Sequence, residues 1–236
     1  SLIYNGAVNN SWSIRQIGAT SLVTIWGIRL LTYIIVRKII RGKEEDKRFA
    51  RFRESWKKNF ALKTFLIIFV PQMILVYLIG SPVVFINSVI DPTLKVIDYL
   101  FIAFGAVIWL VGFFFETTAD IQLLRFRGNP ANKGKTLETG LWKFSRHPNY
   151  FGEATQWWGI FVLGLSLAIN YNQLGLVTVI IGWTTILGPL LLTIMLLKVS
   201  GVGLLEEVVL KEREGYKEYI ERTSAFIPWF PKKPEK

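Results

Sequence analysis

The stretch Gly140-Leu-Trp-Lys-Phe-Ser-Arg-His-Pro-Asn-Tyr-Phe-Gly-Glu153 gathers more side chains able to do chemistry than any other part of the chain, including the only histidine, His147, beside Arg146. It runs straight into an apolar segment, 154–169. Polar donors and acceptors concentrated at the mouth of a hydrophobic helix mark the first place to look for a ligand. Asn149, Glu153 and Gln156 stand at i, i+4 and i+7, so on a helix they share one face. A carboxylate at membrane depth is costly and faces a bundle interior or cavity, unless it lies in the wet interface. Pro148 suits a first helical turn, where backbone donors stay free for an anion.

A second concentration is Phe113-Phe-Phe-Glu-Thr-Thr-Ala-Asp-Ile-Gln-Leu-Leu-Arg-Phe-Arg127. At ~100° per residue, Glu116, Asp120 and Arg127 fall within about 40° of one another. That stripe is either a solvated helix end with mutual ion pairing or one wall of a pocket. Arg127, Lys133, Lys135, Lys143 and Arg146 form a basic rim suited to phosphates, or equally a set of topology-setting charges. A lone histidine with no cysteine cannot complete a zinc site, so metal chemistry is not expected. Glu206 and Glu207 follow Leu204-Leu205 in the tail and either cap the site or form the polar face of an interfacial helix. Trp26 and Tyr33, seven apart on one helix face, can line a cavity for a lipid-soluble substrate, although aromatics in such helices are commoner as packing.

The elements that must position these groups are membrane helices. Half of the 236 residues (51%) are hydrophobic and they fall in long runs. Five spans are predicted, 14–36, 60–79, 94–115 (continuing as a polar extension to 127), 149–169 and 174–197, each near the ~20 residues that cross ~30 Å of hydrocarbon. Pro71 is expected to kink the second span and Gly188-Pro189 to bend the fifth. The net charge of +11 suggests nucleic acid only at first sight, because the basic residues lie in loops between apolar runs. Loops 37–58 and 128–148 and the C-terminus are basic and are assigned to the cytoplasm, whereas 81–92, read as a loop, carries no lysine or arginine and falls on the far side. The mixed-sign loop Gly42-Lys-Glu-Glu-Asp-Lys-Arg48 reads as folded with internal ion pairs. The fold class is thus all-α, a polytopic helix bundle with an amphipathic C-terminal tail, in one domain over 1–236. The chain begins at Ser1 without a visible signal peptide, which suggests a trimmed membrane protein.

Glu116-x-x-x-Asp120 with Arg127, Gly140-Leu-Trp142, Ser145-Arg-His-Pro-Asn-Tyr-Phe-Gly-Glu153 and Trp157-Trp-Gly159 together resemble the steroid 5-alpha-reductase superfamily. They resemble most its bacterial branch, catalogued as a domain of unknown function. The tail motifs Ser200-Gly-Val-Gly-Leu-Leu-Glu206 and Ile227-Pro-Trp-Phe230 extend the likeness. It implies a six- to seven-helix reductase holding NADPH in a cytoplasm-facing cavity, with hydride passing to a carbonyl-conjugated C=C bond of a steroid-like or other lipid. The cofactor contacts it implies are Glu116, Asp120, Arg127, Lys135, Trp142, Arg146, His147, Asn149, Tyr150, Glu153 and Glu206. Tyr150, Glu153 and Tyr33 are the implied catalytic groups, and Trp26, Tyr33 and Gln156 the implied substrate contacts. One or two N-terminal helices of the family are expected to be absent, and with them a glutamate of the carbonyl-polarising pair.

Arg146-His-Pro-x-Tyr-x-Gly152 with a late Glu-Glu pair is also shared with S-adenosylmethionine-dependent membrane methyltransferases of the isoprenylcysteine carboxyl methyltransferase type. A third reading is a non-catalytic sterol- or lipid-binding membrane protein. The expected partners are membrane lipids and a small hydrophobic substrate, with neither nucleic acid nor metal. The expected location is a bacterial inner membrane, or the endoplasmic reticulum membrane for a eukaryotic source.

Overall fold

The computed structural model describes residues 12–41, 56, 59–90, 93–169, 171–199, 206, 210 and 215–232. The mixed-sign loop 42–48 and Glu207 lie outside them. The described residues are helical, without strands. Four helical segments are long and apolar enough to cross a membrane, Ile14–Ile39, Phe60–Ile79, Val96–Gly128 and Leu174–Lys198. Their outward faces are apolar, as Ile28, Leu31, Phe104, Val107 and Val177 illustrate, which is what hydrocarbon requires of an integral membrane protein.

Helix α1 (Ile14–Arg41) starts at a capping box, in which Gln16 donates its backbone N–H to Ser13 Oγ and accepts from the Ser13 N–H through its side chain. Helix α2 (Phe60–Ile79), in which a kink is expected at Pro71, is irregular in the turn ahead of that proline. Proline cannot donate to the preceding turn, and the helix widens into a π-turn at Phe65–Phe69 before α geometry resumes. Segment 81–92 is not a plain loop. It contains helix α3 (Ser81–Ser88), with Pro82 near its start and Phe85, Ile86 and Asn87 buried. Charge content marks topology but says little about backbone conformation, which is why this helix escapes a reading based on loop charge.

Helix α4 (Val96–Gly128) has 33 residues, about 50 Å at 1.5 Å per residue, so it outruns the hydrocarbon and projects as a polar extension. Helix α5 (Pro148–Ile169) is the fourth expected span. It is not among the four segments long and apolar enough to cross, since Asn149, Glu153 and Gln156 occupy its first turns, and it is the most enclosed helix. Helix α6 (Tyr171–Thr184) breaks at Gly175, whose φ of 77° favours glycine. The helix is interrupted at Thr185 and Ile186, just ahead of the Gly188-Pro189 at which a bend is expected, and Gly188 and Pro189 themselves lie within α7 (Leu187–Ile194). A short α8 (Tyr216–Arg222) precedes an extended strap, 223–232.

The register of the site is fixed by the α4–α5 contact. A Cβ added at Gly105 would lie 2.6 Å from Gly159 O, and one at Gly112 would lie 2.6 Å from Gly152 O. The two backbones therefore touch at two levels seven residues apart, as small-residue packing allows within a bilayer. Above this contact Ala19, Phe85, Ile86, Trp109, Ile160, Leu163 and Leu167 form the main core.

Candidate functional site

Where α4 and α5 leave this glycine contact, their polar faces meet under α1. Glu116 and Asp120, a helical turn apart, are each only 4% exposed. A buried carboxylate pair repels itself and needs a cation. Arg29 of α1 supplies it, with one guanidinium nitrogen 2.6 Å from Glu116 Oε1 and the other on Asp120 Oδ2. Trp26 donates its indole N–H to Glu116 Oε2 at 3.2 Å. From α5, Gln156 Nε2 donates to the same oxygen and Asn149 Nδ2 donates to Asp120 Oδ1 at 3.2 Å. Five of the side chains singled out in the sequence thus converge through a sixth, Arg29, that was not among them. An arginine inside an apolar span, three residues after Trp26 and four before Tyr33, was itself the available signal.

The cluster is rich in acceptors. Glu153 lies within electrostatic range of Glu116, Asp120 and Arg29, and among the described residues it has neither a hydrogen-bond partner nor an ion pair. Asn149 Oδ1 and Gln156 Oε1 are buried and accept no hydrogen bond. Buried acceptors without donors are uncommon in a finished interior and mark a place where donors can be received. Tyr33 stands beside Arg29, whose guanidinium carbon is 5.8 Å from the ring centre. Tyr150 is within electrostatic range of Tyr33, Glu153 and Asp120. Trp26 meets Trp157 edge to face at 5.6 Å, closing an aromatic wall between α1 and α5.

The stripe Glu116, Asp120 and Arg127 divides. Its carboxylates face the cluster, whereas Arg127 is exposed on the last turn of α4. It lines a shallow cavity of about 250 Å³ with Phe126, Asn129, Asn132, Lys133 and Lys135. Lys135 is exposed in the same rim. Arg146 turns away from that rim. Its guanidinium donates to Glu206 at 2.7 and 3.1 Å and to the carbonyls of Ile220 and Thr223 at 2.9 and 2.6 Å. His147 Nε2 is 3.2 Å from Glu206 Oε1, and its ring stacks on Tyr150 at 5.2 Å. Trp142 is buried and donates to Ala119 O at 3.1 Å. Arg146, His147 and Glu206 therefore build a clamp between the turn before α5 and the C-terminal segment, and Trp142 ties that turn to α4. Glu206 shows the consequence. Burial works against its charge, but hydrogen bonds from His147 and Arg146 outweigh burial and hold its carboxyl below the ordinary value of 4.5. Among the described residues no three His, Asp or Glu side chains are grouped as metal ligands.

A 50-residue stretch of the chain is 42% identical to a probable O-methyltransferase, ustE, of Ustilaginoidea virens, covering 21% of this chain and 18% of that protein. No solved structure is detectably similar. A family profile, by contrast, matches nearly end to end: over residues 2–223 the chain belongs to the family DUF1295, described as a protein of unknown function.

Proposed function

We propose that this protein is a NADPH-dependent membrane reductase of carbonyl-conjugated C=C bonds in lipid or steroid-like substrates. The observation that carries the reading is the pair of orphaned buried acceptors, Asn149 Oδ1 and Gln156 Oε1, set among Glu116, Asp120 and Glu153. A site with surplus acceptors fits the donor-rich end of a dinucleotide, whose carboxamide N–H groups and ribose hydroxyls need acceptors. It does not fit phosphates, which belong with the exposed Arg127, Lys133 and Lys135 of the rim. Asn149, Gln156 and Asp120 would thus hold the sugar and amide, and the rim the phosphates.

The cofactor supplies hydride. The chain's own part is electrostatic and geometric. Hydride addition to the far carbon of an enone moves charge onto the carbonyl oxygen, and a phenol aimed at that oxygen stabilises it. Tyr33 and Tyr150 are the two phenols of the site, and Glu153 beside Tyr150 can relay a proton toward the neighbouring carbon. Trp26 and Trp157 offer an apolar wall that excludes water and orients a greasy substrate.

The stretch shared with the fungal O-methyltransferase favours a second reading, methyl transfer from S-adenosylmethionine. A carboxylate-rich site also suits a sulfonium cation. The two readings separate in equilibrium binding of NADPH, NADH and S-adenosylmethionine to detergent-purified protein. For the reductase, NADPH binds best, Asn149→Ala weakens it about tenfold, or about 1.4 kcal/mol, and Glu153→Gln abolishes enone reduction without unfolding the protein. Tighter binding of S-adenosylmethionine, with NADPH inert, overturns the reductase in favour of the methyltransferase. Binding of sterol alone supports a non-catalytic role.

A further inference from the structure

The strap after α8 is held by its backbone and by Phe226, which packs on Phe151, and yet shows its other large apolar side chains to the outside. Ser224 O accepts from Arg146 N at 2.8 Å, Phe226 O from Ser145 Oγ at 2.8 Å, and Trp229 N donates to Phe144 O at 2.9 Å. Lys232 N closes back on Arg222 O at 2.9 Å. Pro228 and Pro231 stiffen the intervening turns. A segment fixed at four points would be expected to turn its aromatics inward. Instead Ile227, Trp229 and Phe230 are 63%, 71% and 78% exposed.

Their surroundings say what covers them. Phe230 packs edge to face on Phe144 at 5.9 Å, and Lys143 Nζ lies 5.9 Å from the Phe144 ring centre. Lys143 and Lys232 are exposed at the two edges of the patch, and the chain continues into Lys233 and Lys236. The nearby Arg222 is already paired with Glu138. The strap sits at the end of the bundle where α5 begins, so it lies level with the boundary between hydrocarbon and water. Indole and phenyl rings flanked by lysines are the composition that the bilayer interface selects. A soluble protein partner would need no such match in depth.

We propose that strap 223–232 is an interfacial anchor that inserts Ile227, Trp229 and Phe230 among the lipids and sets Lys143 and Lys232 against anionic headgroups. Because the strap holds Phe144, Ser145 and Arg146, its docking also fixes the turn from which Asn149 and Glu153 project. The inference concerns membrane attachment and holds whichever cofactor the site takes.

The chain contains no cysteine, so one introduced thiol can be labelled cleanly in the intact protein. A nitroxide on Trp229→Cys, in nanodiscs of phosphatidylcholine with or without phosphatidylglycerol, reports depth through collisions with oxygen and a water-soluble nickel chelate. The same label on Glu218→Cys, exposed on α8, serves as the water-facing reference. Gel filtration and helical circular dichroism matching the parent certify the fold, and Phe230→Cys provides a second reporter. The expected result is several-fold less nickel contact at Trp229 than at Glu218, deepening with phosphatidylglycerol and losing that lipid dependence in Lys143→Gln/Lys232→Gln. Equal nickel contact at both positions overturns the anchor. Insertion that ignores phosphatidylglycerol overturns the headgroup half of the proposal.

Discussion

The bundle buries an arginine against carboxylates at each end of the stretch of α1 that runs from Arg15 to Arg29, and the two arrangements differ in what they leave over. At the start of α1, Arg15 is fully buried and pairs with Asp98 at 2.7 Å. The second oxygen of Asp98 accepts from the Lys95 backbone at 2.9 Å. Beside it Gln16 donates to the carbonyls of Ile86 and Val89, and Asn87 bonds Thr20. One arginine meets one carboxylate there, and α1, α3 and α4 are tied together. Near the other end Arg29 faces Glu116 and Asp120, with Glu153 close by and two amide oxygens unclaimed. Both carry the cost of burying ions. The first ties helices together, whereas the second holds more carboxylates than cations and leaves acceptors over.

The largest effect should come from removing the shared cation. Arg29→Met leaves two buried carboxylates without a bonded counter-charge, and breaking such a pair costs about 3–5 kcal/mol. Thermal unfolding in detergent should fall steeply, or little folded protein should be recovered. Adding Glu116→Gln and Asp120→Asn to Arg29→Met should restore the unfolding temperature but leave ligand binding absent. A single Arg29→Met variant as stable as the parent would show that the cluster is wet and open, and the contrast between the two ends would fail.

Replacing the other pair wholesale should do much less. Arg15→Met with Asp98→Leu exchanges a matched ion pair for apolar volume, a change that is often neutral or stabilising by 1–4 kcal/mol. Its unfolding temperature should match or exceed the parent's, and ligand affinity should not move. If affinity falls instead, the Arg15 end is coupled to the site and is more than a lock.

The sequence exposes these two ends unequally. The polar faces of α4 and α5 were readable because helical periodicity puts Glu116 with Asp120, and Asn149 with Glu153 and Gln156, on single stripes. Their convergence was not, because it depends on which levels of two helices touch. Gly105, Gly112, Gly152 and Gly159 set that level, and each is unremarkable until its opposite number is known. Arg29 was legible in principle as a charge inside an apolar span. Its two partners lie 87 and 91 residues away, beyond anything spacing can pair. Arg146 shows the reverse limit. Its type and place suit a phosphate, but the carbonyls of Ile220 and Thr223 claim it from more than 70 residues away. Helix α3 was missed for a local reason, since an apolar eight-residue helix between two spans looks like a connector when only charge is counted.

The smallest effect sharpens the contrast from outside the membrane helices. Glu206 is a matched acceptor like Asp98, held by Arg146 and His147, and its carboxyl ionises below the ordinary value of 4.5. Below that value the unfolded chain takes up this proton before the folded one does. The clamp's contribution is therefore complete above about pH 4.5 and lost as pH falls through the lower folded value. Glu206→Gln removes the titrating group and leaves the Arg146 guanidinium with a weaker acceptor. At pH 7 the variant should unfold at a lower temperature than the parent. As pH falls from 4.5 through the lower folded value the gap should narrow, because the parent's own carboxylate is neutralised. A gap of constant size across that range would mean that the ionised state of Glu206 does not hold the C-terminal segment in place. The link from that segment through Arg146 to the first turn of α5 would then rest on the backbone bonds alone.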